Sequence, residues 1–109
     1  MSETIVVITG ANQGLGHEIA KKLAAENENY RIILGSRSLE KGQQAASEVT
    51  KLAKNTKVDV VQIDVSSDDS IESAARTIEE KYGRVDVLVN NAGIVQTDGK
   101  TVRERLHQG

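Results

Sequence analysis

The chain has 109 residues, a formal net charge of −2 and no cysteine. This length accommodates one domain, and the lack of cysteine excludes a disulfide framework, a thiol nucleophile and a zinc–thiolate site. Interspersed charges of both signs argue against nucleic-acid binding, which needs a basic face. No apolar run approaches the roughly 18 residues of a membrane span, so we expect a cytoplasmic protein with no membrane partner.

Apolar runs alternate with helical patterns along the chain. "TIVVIT" (4–9) predicts the first strand, and Leu15, Ile19 and Leu23, spaced by four residues, predict a helix behind it. The same alternation continues through "YRIILG" (30–35), a helix over 39–54, "KVDVVQIDV" (57–65), a helix from about Ser66, and "RVDVLVN" (84–90). Four strands joined by three crossover helices predict an α/β fold with a parallel sheet.

Start and stop signals bound the third helix. Ser66 and Asp69 form a Ser-x-x-Asp cap, and Gly83, after the basic Lys81, marks the end. Asp68 and Asp69 together suggest a metal site, but two acids in a first helical turn are better explained by the helix dipole. We therefore predict no metal here.

The sequence after the fourth strand changes character. "IVQTDGK" (94–100) predicts a loop. Val102 and Leu106 then lie one helical turn apart, which predicts the start of a fourth helix.

The turn between the first strand and the first helix is rich in glycine. In "TGANQGLG" (9–16) the glycines stand at positions 10, 14 and 16. Such a turn needs a residue free to adopt positive φ, a second glycine lets the backbone approach a pyrophosphate, and the helix N-terminus attracts the anion. The alternative is a plain glycine-rich turn, yet the flanking strand and helix favour phosphate binding. A P-loop is excluded, because Gly16 is not followed by Lys and Ser or Thr.

The end of the second strand indicates which dinucleotide fits. In NAD-binding units an acidic residue about 20 positions beyond the glycine loop accepts the ribose hydroxyls, whereas an arginine accommodates a 2′-phosphate. Here Ser36 and Arg37 follow the strand, and no carboxylate occurs until Glu40. A guanidinium pairs with phosphate bidentately, so we predict NADP(H) rather than NAD(H). The alternative is that Arg37 is a solvated loop charge.

Two further segments fall at the carboxyl edge of the predicted sheet, where ligands bind in open α/β folds. Asp64 follows the third strand and has a plain alternative as a helix-entry carboxylate. "NNAG" (90–93) ends the fourth strand with two amides and two small residues that permit close approach of a ligand. Alone, this segment would indicate only a turn.

Together these residues resemble the short-chain dehydrogenase/reductase family. "TGANQGLG" matches its Thr-Gly-x3-Gly-x-Gly cofactor loop, "DV" at 64–65 its adenine-contacting pair, and "NNAG" its Asn-Asn-Ala-Gly element. The resemblance covers nearly the whole chain, and it implies an NADP(H)-dependent oxidoreductase of carbonyl or alcohol substrates.

The resemblance also implies a role for each matching residue in cofactor binding. These are Gly10, Asn12, Gly14, Leu15 and Gly16 for the adenosine and pyrophosphate, Arg37 for the 2′-phosphate, Asp64 and Val65 for the adenine, and Asn90, Ala92 and Gly93 for the ribose near the nicotinamide.

The family's proton-transfer residues have no match in the 109 residues. The family uses a Ser and a Tyr with a Lys four positions later. Four positions after Tyr30 stands Leu34, and four after Tyr82 stands Asp86. Neither tyrosine fits, so both are interpreted as packing or surface residues, and we predict no catalytic residue in this chain.

The expected fold is therefore a partial doubly wound, Rossmann-type parallel sheet of four strands in the order 3-2-1-4, with three crossover helices and the start of a fourth. Residues 1–109 would form the NADP(H)-binding half of such a domain, truncated after strand four. That strand would be an open hydrophobic edge, which invites self-association.

Two hypotheses remain open from sequence. The first is the cofactor-binding portion of an oxidoreductase, inactive at this length. The second is a non-enzymatic dinucleotide-binding or interaction module that functions at this length.

Overall fold

The computed structural model describes residues 3–12, 14–90 and 93–96. Its strands are β1 (Thr4–Thr9), β2 (Tyr30–Ser36), β3 (Lys57–Gln62), β4 (Val87–Asn90) and β5 (Gly93–Gln96). Its helices are α1 (Gly14–Glu26), α2 (Leu39–Ser47) and α3 (Asp68–Tyr82). One sheet has the order β3-β2-β1-β4-β5, and its first four strands are parallel. The predicted order 3-2-1-4 is confirmed.

The fifth strand differs from the prediction. The segment expected as a loop from residue 94 instead pairs antiparallel with β4, with Val89 opposite Ile94 and Leu88 opposite Val95. β-Branched Ile94 and Val95 favour extended backbone, and the unpaired backbone groups of β4 gain hydrogen bonds from them. The prediction of an open edge at strand four is therefore wrong for the described chain. The predicted fourth helix falls at 101–109, outside the described residues.

The second helix is shorter than predicted. It begins after Ser38, whose hydroxyl accepts a hydrogen bond from the Lys41 amide at 3.2 Å. It ends at Ser47 rather than near residue 54. Two β-branched residues, Val49 and Thr50, follow the C-cap and disfavour helix.

The N-cap of the third helix lies one residue later than predicted. Ser67, not Ser66, is the N-cap, and its hydroxyl accepts a hydrogen bond from the Ser70 amide at 3.3 Å. Ser66 instead donates to the Asp64 carboxylate. Gly83 ends the helix in the left-handed region, with φ of 82°, so the predicted stop is confirmed.

Aliphatic residues cover both faces of the sheet. Successive strand residues point to opposite faces, so Ile5 and Val7 pack with α3, while Val6 and Ile8 pack with α1 and α2. α1 approaches the sheet through the small residues Gly16, Ala20 and Ala24. Leu15, the first of the three apolar residues that predicted this helix, is 65 % exposed. None of the helices among the described residues has the length and apolarity to cross a bilayer.

Polar side chains join the elements at the amino ends of the strands. Arg31 donates to Glu3 at 3.1 Å and to Asp59 at 2.9 Å. The Tyr82 hydroxyl donates to the same Asp59 carboxylate at 2.5 Å, and the Arg31 guanidinium lies 5.7 Å from the centre of the Tyr82 ring. Burial, together with the hydrogen bond to Asp59, raises the pKa of Tyr82 above its usual value. Tyr82 is thus a packing residue.

Replacing Tyr82 by phenylalanine should change how stability depends on alkaline pH. The folded chain holds the Tyr82 proton more tightly than the unfolded chain, so this contribution is complete below about pH 10 and is lost as the pH rises further. We expect Tyr82→Phe to lower the free energy of unfolding by about 1 kcal/mol at pH 7 and to flatten its decline above about pH 10. Urea denaturation at several pH values from 7 to 11 measures both effects.

Tyr30→Phe is the matched control, because no side chain in the described ranges hydrogen-bonds the Tyr30 hydroxyl. If the free energy of unfolding declined equally at alkaline pH in wild type and in Tyr82→Phe, the raised pKa of Tyr82 would be contradicted.

Candidate functional site

A cleft of about 400 Å³ opens at the carboxyl ends of the first three strands. This is the edge of a parallel sheet at which open α/β folds bind ligands. It is lined by Gly10, Asn12, Gly14, Leu15, Arg37, Ile63 and Val65. The structure thus brings together six of the residues predicted from sequence.

The glycine-rich turn forms one wall of the cleft. Gly10 and Gly14 have φ of 63° and 62°, in the left-handed region that glycine tolerates best. The Ala11 amide donates to the Gly35 carbonyl at 3.1 Å, which ties the turn to β2. α1 begins at Gly14, so the unpaired amides and the positive dipole end of that helix lie at the cleft.

Gly16 has a different role from the other two glycines. A Cβ atom added at Gly16 would lie 2.7 Å from the Gly10 carbonyl oxygen and 3.2 Å from the Ala11 Cα atom. Gly16 is buried and does not line the cleft. Its absent side chain lets α1 pack directly on the turn, while a contact of Gly16 with a ligand stays a prediction.

Arg37 stands where the cleft meets a second depression. That depression, of about 380 Å³, is lined by Asn12, Ser36, Arg37, Ser38 and Lys41. The Gln62 side-chain amide donates to the Arg37 carbonyl at 3.1 Å and holds the backbone of this loop on β3. The exposed Arg37 guanidinium forms no hydrogen bond or ion pair within the described part of the chain.

Asp64 is held by hydrogen bonds of its own turn. Its carboxylate accepts from the Ser66 hydroxyl at 2.6 Å and from the Ser66 amide at 3.0 Å. These bonds, with a smaller contribution from Arg37, lower the pKa of Asp64, so it is ionised at neutral pH. The Asp64 amide donates to the Ser70 hydroxyl at 2.7 Å. Asp64 therefore shapes the β3–α3 turn, and the next residue, Val65, lines the cleft with 52 % of its surface exposed.

Ile63 lines the cleft, although sequence analysis did not single it out. It is the first residue after β3, at the carboxyl edge of the sheet where ligands bind in open α/β folds.

The "NNAG" segment is described only in part. Asn90 ends β4 and is paired with Gly93 of β5. Since Val89 lies opposite Ile8 of β1, the backbone of Asn90 lies beside the strand end from which the glycine-rich turn departs. Ala92 and the Asn90 side chain lie outside the described residues, and the ribose role of Asn90, Ala92 and Gly93 stays a prediction.

No group of three or more potential metal ligands occurs among residues 3–12, 14–90 and 93–96. Asp68 and Asp69 occupy the first turn of α3. Carboxylates at that end of a helix complement its dipole.

Residues 4–108 match the family described as short chain dehydrogenase. The chain belongs to the short-chain dehydrogenase family.

Similar proteins carry this fold in longer chains. A short-chain dehydrogenase/reductase of Aspergillus fumigatus is 44 % identical over 95 residues, which cover 87 % of this chain and 36 % of the relative. The solved menthone neomenthol reductase from Mentha piperita is 35 % identical with a TM-score of 0.68, over 85 % of this chain and 32 % of that one. A solved actinorhodin polyketide ketoreductase with NADPH is 33 % identical with a TM-score of 0.69, over 84 % and 34 %. The chain thus spans about a third of the length of the relatives it matches.

Within this short-chain dehydrogenase chain, the lining of the cleft combines groups that bind anions with apolar side chains. It includes the helix amides at Gly14, the Arg37 cation and the exposed apolar side chains of Leu15 and Val65. Amides and a guanidinium suit phosphates, and the apolar side chains suit a flat heterocycle. The residues present therefore fit a dinucleotide.

Proposed function

We propose that this chain is the NADP(H)-binding portion of a short-chain dehydrogenase/reductase-type oxidoreductase that acts on a carbonyl or alcohol substrate. The observation that carries the proposal is the unpaired Arg37 guanidinium at the rim of the glycine-lined cleft. The cytoplasm is the proposed location, because the chain contains no cysteine.

The preference for NADP(H) over NAD(H) follows from charge. A 2′-phosphate offers oxygens that a guanidinium binds bidentately, whereas the ribose hydroxyls of NAD(H) need a carboxylate acceptor. The first carboxylate after β2 belongs to Glu40, which lines neither the cleft nor the neighbouring depression. NADPH in the similar ketoreductase supports the same choice.

The remaining cofactor contacts follow the shape of the cleft. The pyrophosphate would bind the amides at the start of α1, next to Gly14, and the adenine would lie against Ile63 and Val65. The ionised Asp64 carboxylate would accept a hydrogen bond from the exocyclic amino group of the adenine. The ribose beside the nicotinamide would face Asn90, Ala92 and Gly93. When the cofactor is bound, its nicotinamide ring supplies the hydride.

We further propose that the 109 residues bind the cofactor without catalysing hydride transfer. A catalytic acid/base needs a pKa near the operating pH, whereas the Tyr82 hydroxyl is bonded to Asp59 and has a raised pKa. Tyr82 also lies at the amino ends of the strands, opposite the cleft. Tyr30 is the first residue of β2, at that same end. The name of the menthone neomenthol reductase supports a carbonyl substrate for the oxidoreductase as a whole.

Calorimetric titration of the chain with NADPH and with NADH tests the cofactor assignment. We expect NADPH to bind about 10- to 100-fold more tightly, because a charge-assisted phosphate contact contributes about 1.5–3 kcal/mol. Equal affinities would contradict the NADP(H) preference, and no saturable binding of either would contradict the function.

Mixing the chain with NADPH and a cyclic ketone should give no loss of absorbance at 340 nm, and turnover would show that an acid/base has been overlooked.

A further inference from the structure

His17 lies in the first turn of α1 and joins that helix to the end of α2. The residue is buried, with 7 % of its surface exposed. Its ring Nε2 lies 3.1 Å from the carbonyl oxygen of Ala45, which follows it by 28 residues in the chain. A carbonyl oxygen only accepts hydrogen bonds, so Nε2 carries the hydrogen and donates. The bond therefore links the first turn of α1 to the last turn of α2.

The Ala45 carbonyl belongs to the last turn of α2, where carbonyl groups lack partners within a helix. It accepts from the Glu48 amide at 3.1 Å, and the second lone pair of the oxygen is left for His17. The Glu48 carboxylate lies 3.5 Å from Nε2, but its side chain is 56 % exposed, where an ion pair contributes little. The hydrogen bond to Ala45, rather than the ion pair, therefore carries the link.

Glycines fix how closely each of the two helices approaches the sheet. Gly16 lets α1 pack on the glycine-rich turn. A Cβ atom added at Gly42 of α2 would lie 2.7 Å from Val60 Cγ1 and 3.1 Å from Ser36 Cβ. These contacts run from helix to sheet, so they leave the spacing between the helices open. The His17 ring sets that spacing, because it leaves α1 and is bonded to α2 at its far end.

The spacing of the helices bears on the cleft, because each helix begins at a different part of its lining. α1 begins at Gly14, and α2 begins after Ser38, the neighbour of Arg37. A ligand that contacts both parts binds most tightly when they already lie at the matching distance, since ordering them on binding costs free energy.

We infer that His17 is a positioning residue, which holds the start of α1 and the loop that carries Arg37 at the spacing that NADP(H) bridges. The inference rests on the proposed function. A ligand that reaches only one of the two parts gains nothing from a preset spacing. A purely structural role, by contrast, would affect every ligand in proportion to the loss of folded protein.

The test compares His17→Leu with wild type in titrations followed by backbone ¹H–¹⁵N shifts. The ligands are NADPH and adenosine 2′-monophosphate, which carries the adenine and the 2′-phosphate without the pyrophosphate. We expect His17→Leu to weaken NADPH by about 5-fold, within the contribution of one hydrogen bond, and adenosine 2′-monophosphate by less than about twofold.

Two further variants separate the hydrogen bond from other effects of the ring. His17→Gln, whose amide N–H can replace the ring N–H, should restore NADPH affinity to within about twofold of wild type. Glu48→Gln is the matched control and should leave both affinities within about twofold, because it removes only the exposed ion pair.

Urea denaturation of each variant gives the folded fraction to which the affinities are referred. If His17→Leu does not fold, His17→Asn takes its place, because its amide keeps the polarity but is too short to reach Ala45. The same loss of NADPH affinity is expected for it.

The possible failures are distinguishable. If wild type shows no saturable binding of NADPH, the proposed function itself fails. If wild type binds NADPH and His17→Leu binds it equally well, the positioning role is refuted. If His17→Leu weakens both ligands equally, or if His17→Gln does not restore NADPH binding, His17 only supports the fold and the inference is also refuted.

Discussion

Replacing Arg37 by methionine should weaken NADPH binding by about 30-fold at pH 7.5, within the range expected for a charge-assisted bidentate contact. NADH affinity should stay within about twofold, because NADH has no 2′-phosphate. The guanidinium is exposed and unpaired in the described chain, so its removal leaves no buried partner without a hydrogen bond. The loss therefore reports the phosphate contact rather than damage to the fold.

The matched control for this change is Arg76→Met, which removes the same charge from the exposed side of α3. Both variants alter the net charge equally, so any long-range effect on an anionic ligand is common to them. Equal losses of NADPH affinity in the two variants would refute a direct contact. Equal losses of NADPH and NADH affinity in Arg37→Met would refute the 2′-phosphate role.

Substituting Gly16 by alanine should cause the largest combined loss of stability and binding. The added Cβ atom would lie 2.7 Å from the Gly10 carbonyl oxygen, a backbone atom that cannot move aside without displacing the turn. We expect the free energy of unfolding to fall by about 2–3 kcal/mol, as for overpacked sites. NADPH binding should weaken more than 10-fold, because the start of α1 leaves the position that presents its amides.

Two other glycines separate stability from binding. Gly83→Ala introduces a side chain at φ of 82° with no atom within 4 Å, at the C-cap of α3 and away from the cleft. It should lower stability by about 1–2 kcal/mol through strain alone and leave NADPH affinity unchanged in the folded protein. Gly14→Ala, at φ of 62° in equally open space, should have a similar effect on stability but also weaken NADPH.

For the Gly16→Ala prediction, a free energy of unfolding equal to that of wild type would refute the tight packing of α1 on the glycine-rich turn.

The parts of the fold that sequence predicts best are those where local chemistry and tertiary packing agree. β1 was predicted at its observed bounds because both of its faces are buried, so every residue from Ile5 to Ile8 is apolar. The end of α3 was predictable because a left-handed C-cap at Gly83 is dictated locally. In the site, the glycine spacing and the position of Arg37 after β2 were sufficient to predict most of the cleft lining.

The parts that failed depend on contacts distant in sequence. Val49 and Thr50 disfavour helix after α2 locally, but the course of the connection that follows depends on α1, because the Ala53 amide donates to the Ala24 carbonyl. β5 was missed because its segment contains turn-forming residues, while its pairing depends on the free edge of β4.

The central claim is that NADP(H) binds in the cleft at the carboxyl ends of β1, β2 and β3. Backbone ¹H–¹⁵N spectra of the labelled chain, recorded during titration with NADPH, test it most directly. We predict saturable shifts for the amides of Gly10, Asn12, Gly14, Leu15, Arg37 and Val65, with those of Arg31, Asp59 and Tyr82 unchanged. In parallel titrations with NADH, the shift at Arg37 should be lost. Saturable shifts centred on Arg31, Asp59 and Tyr82, or no saturable shift at the cleft, would contradict the claim.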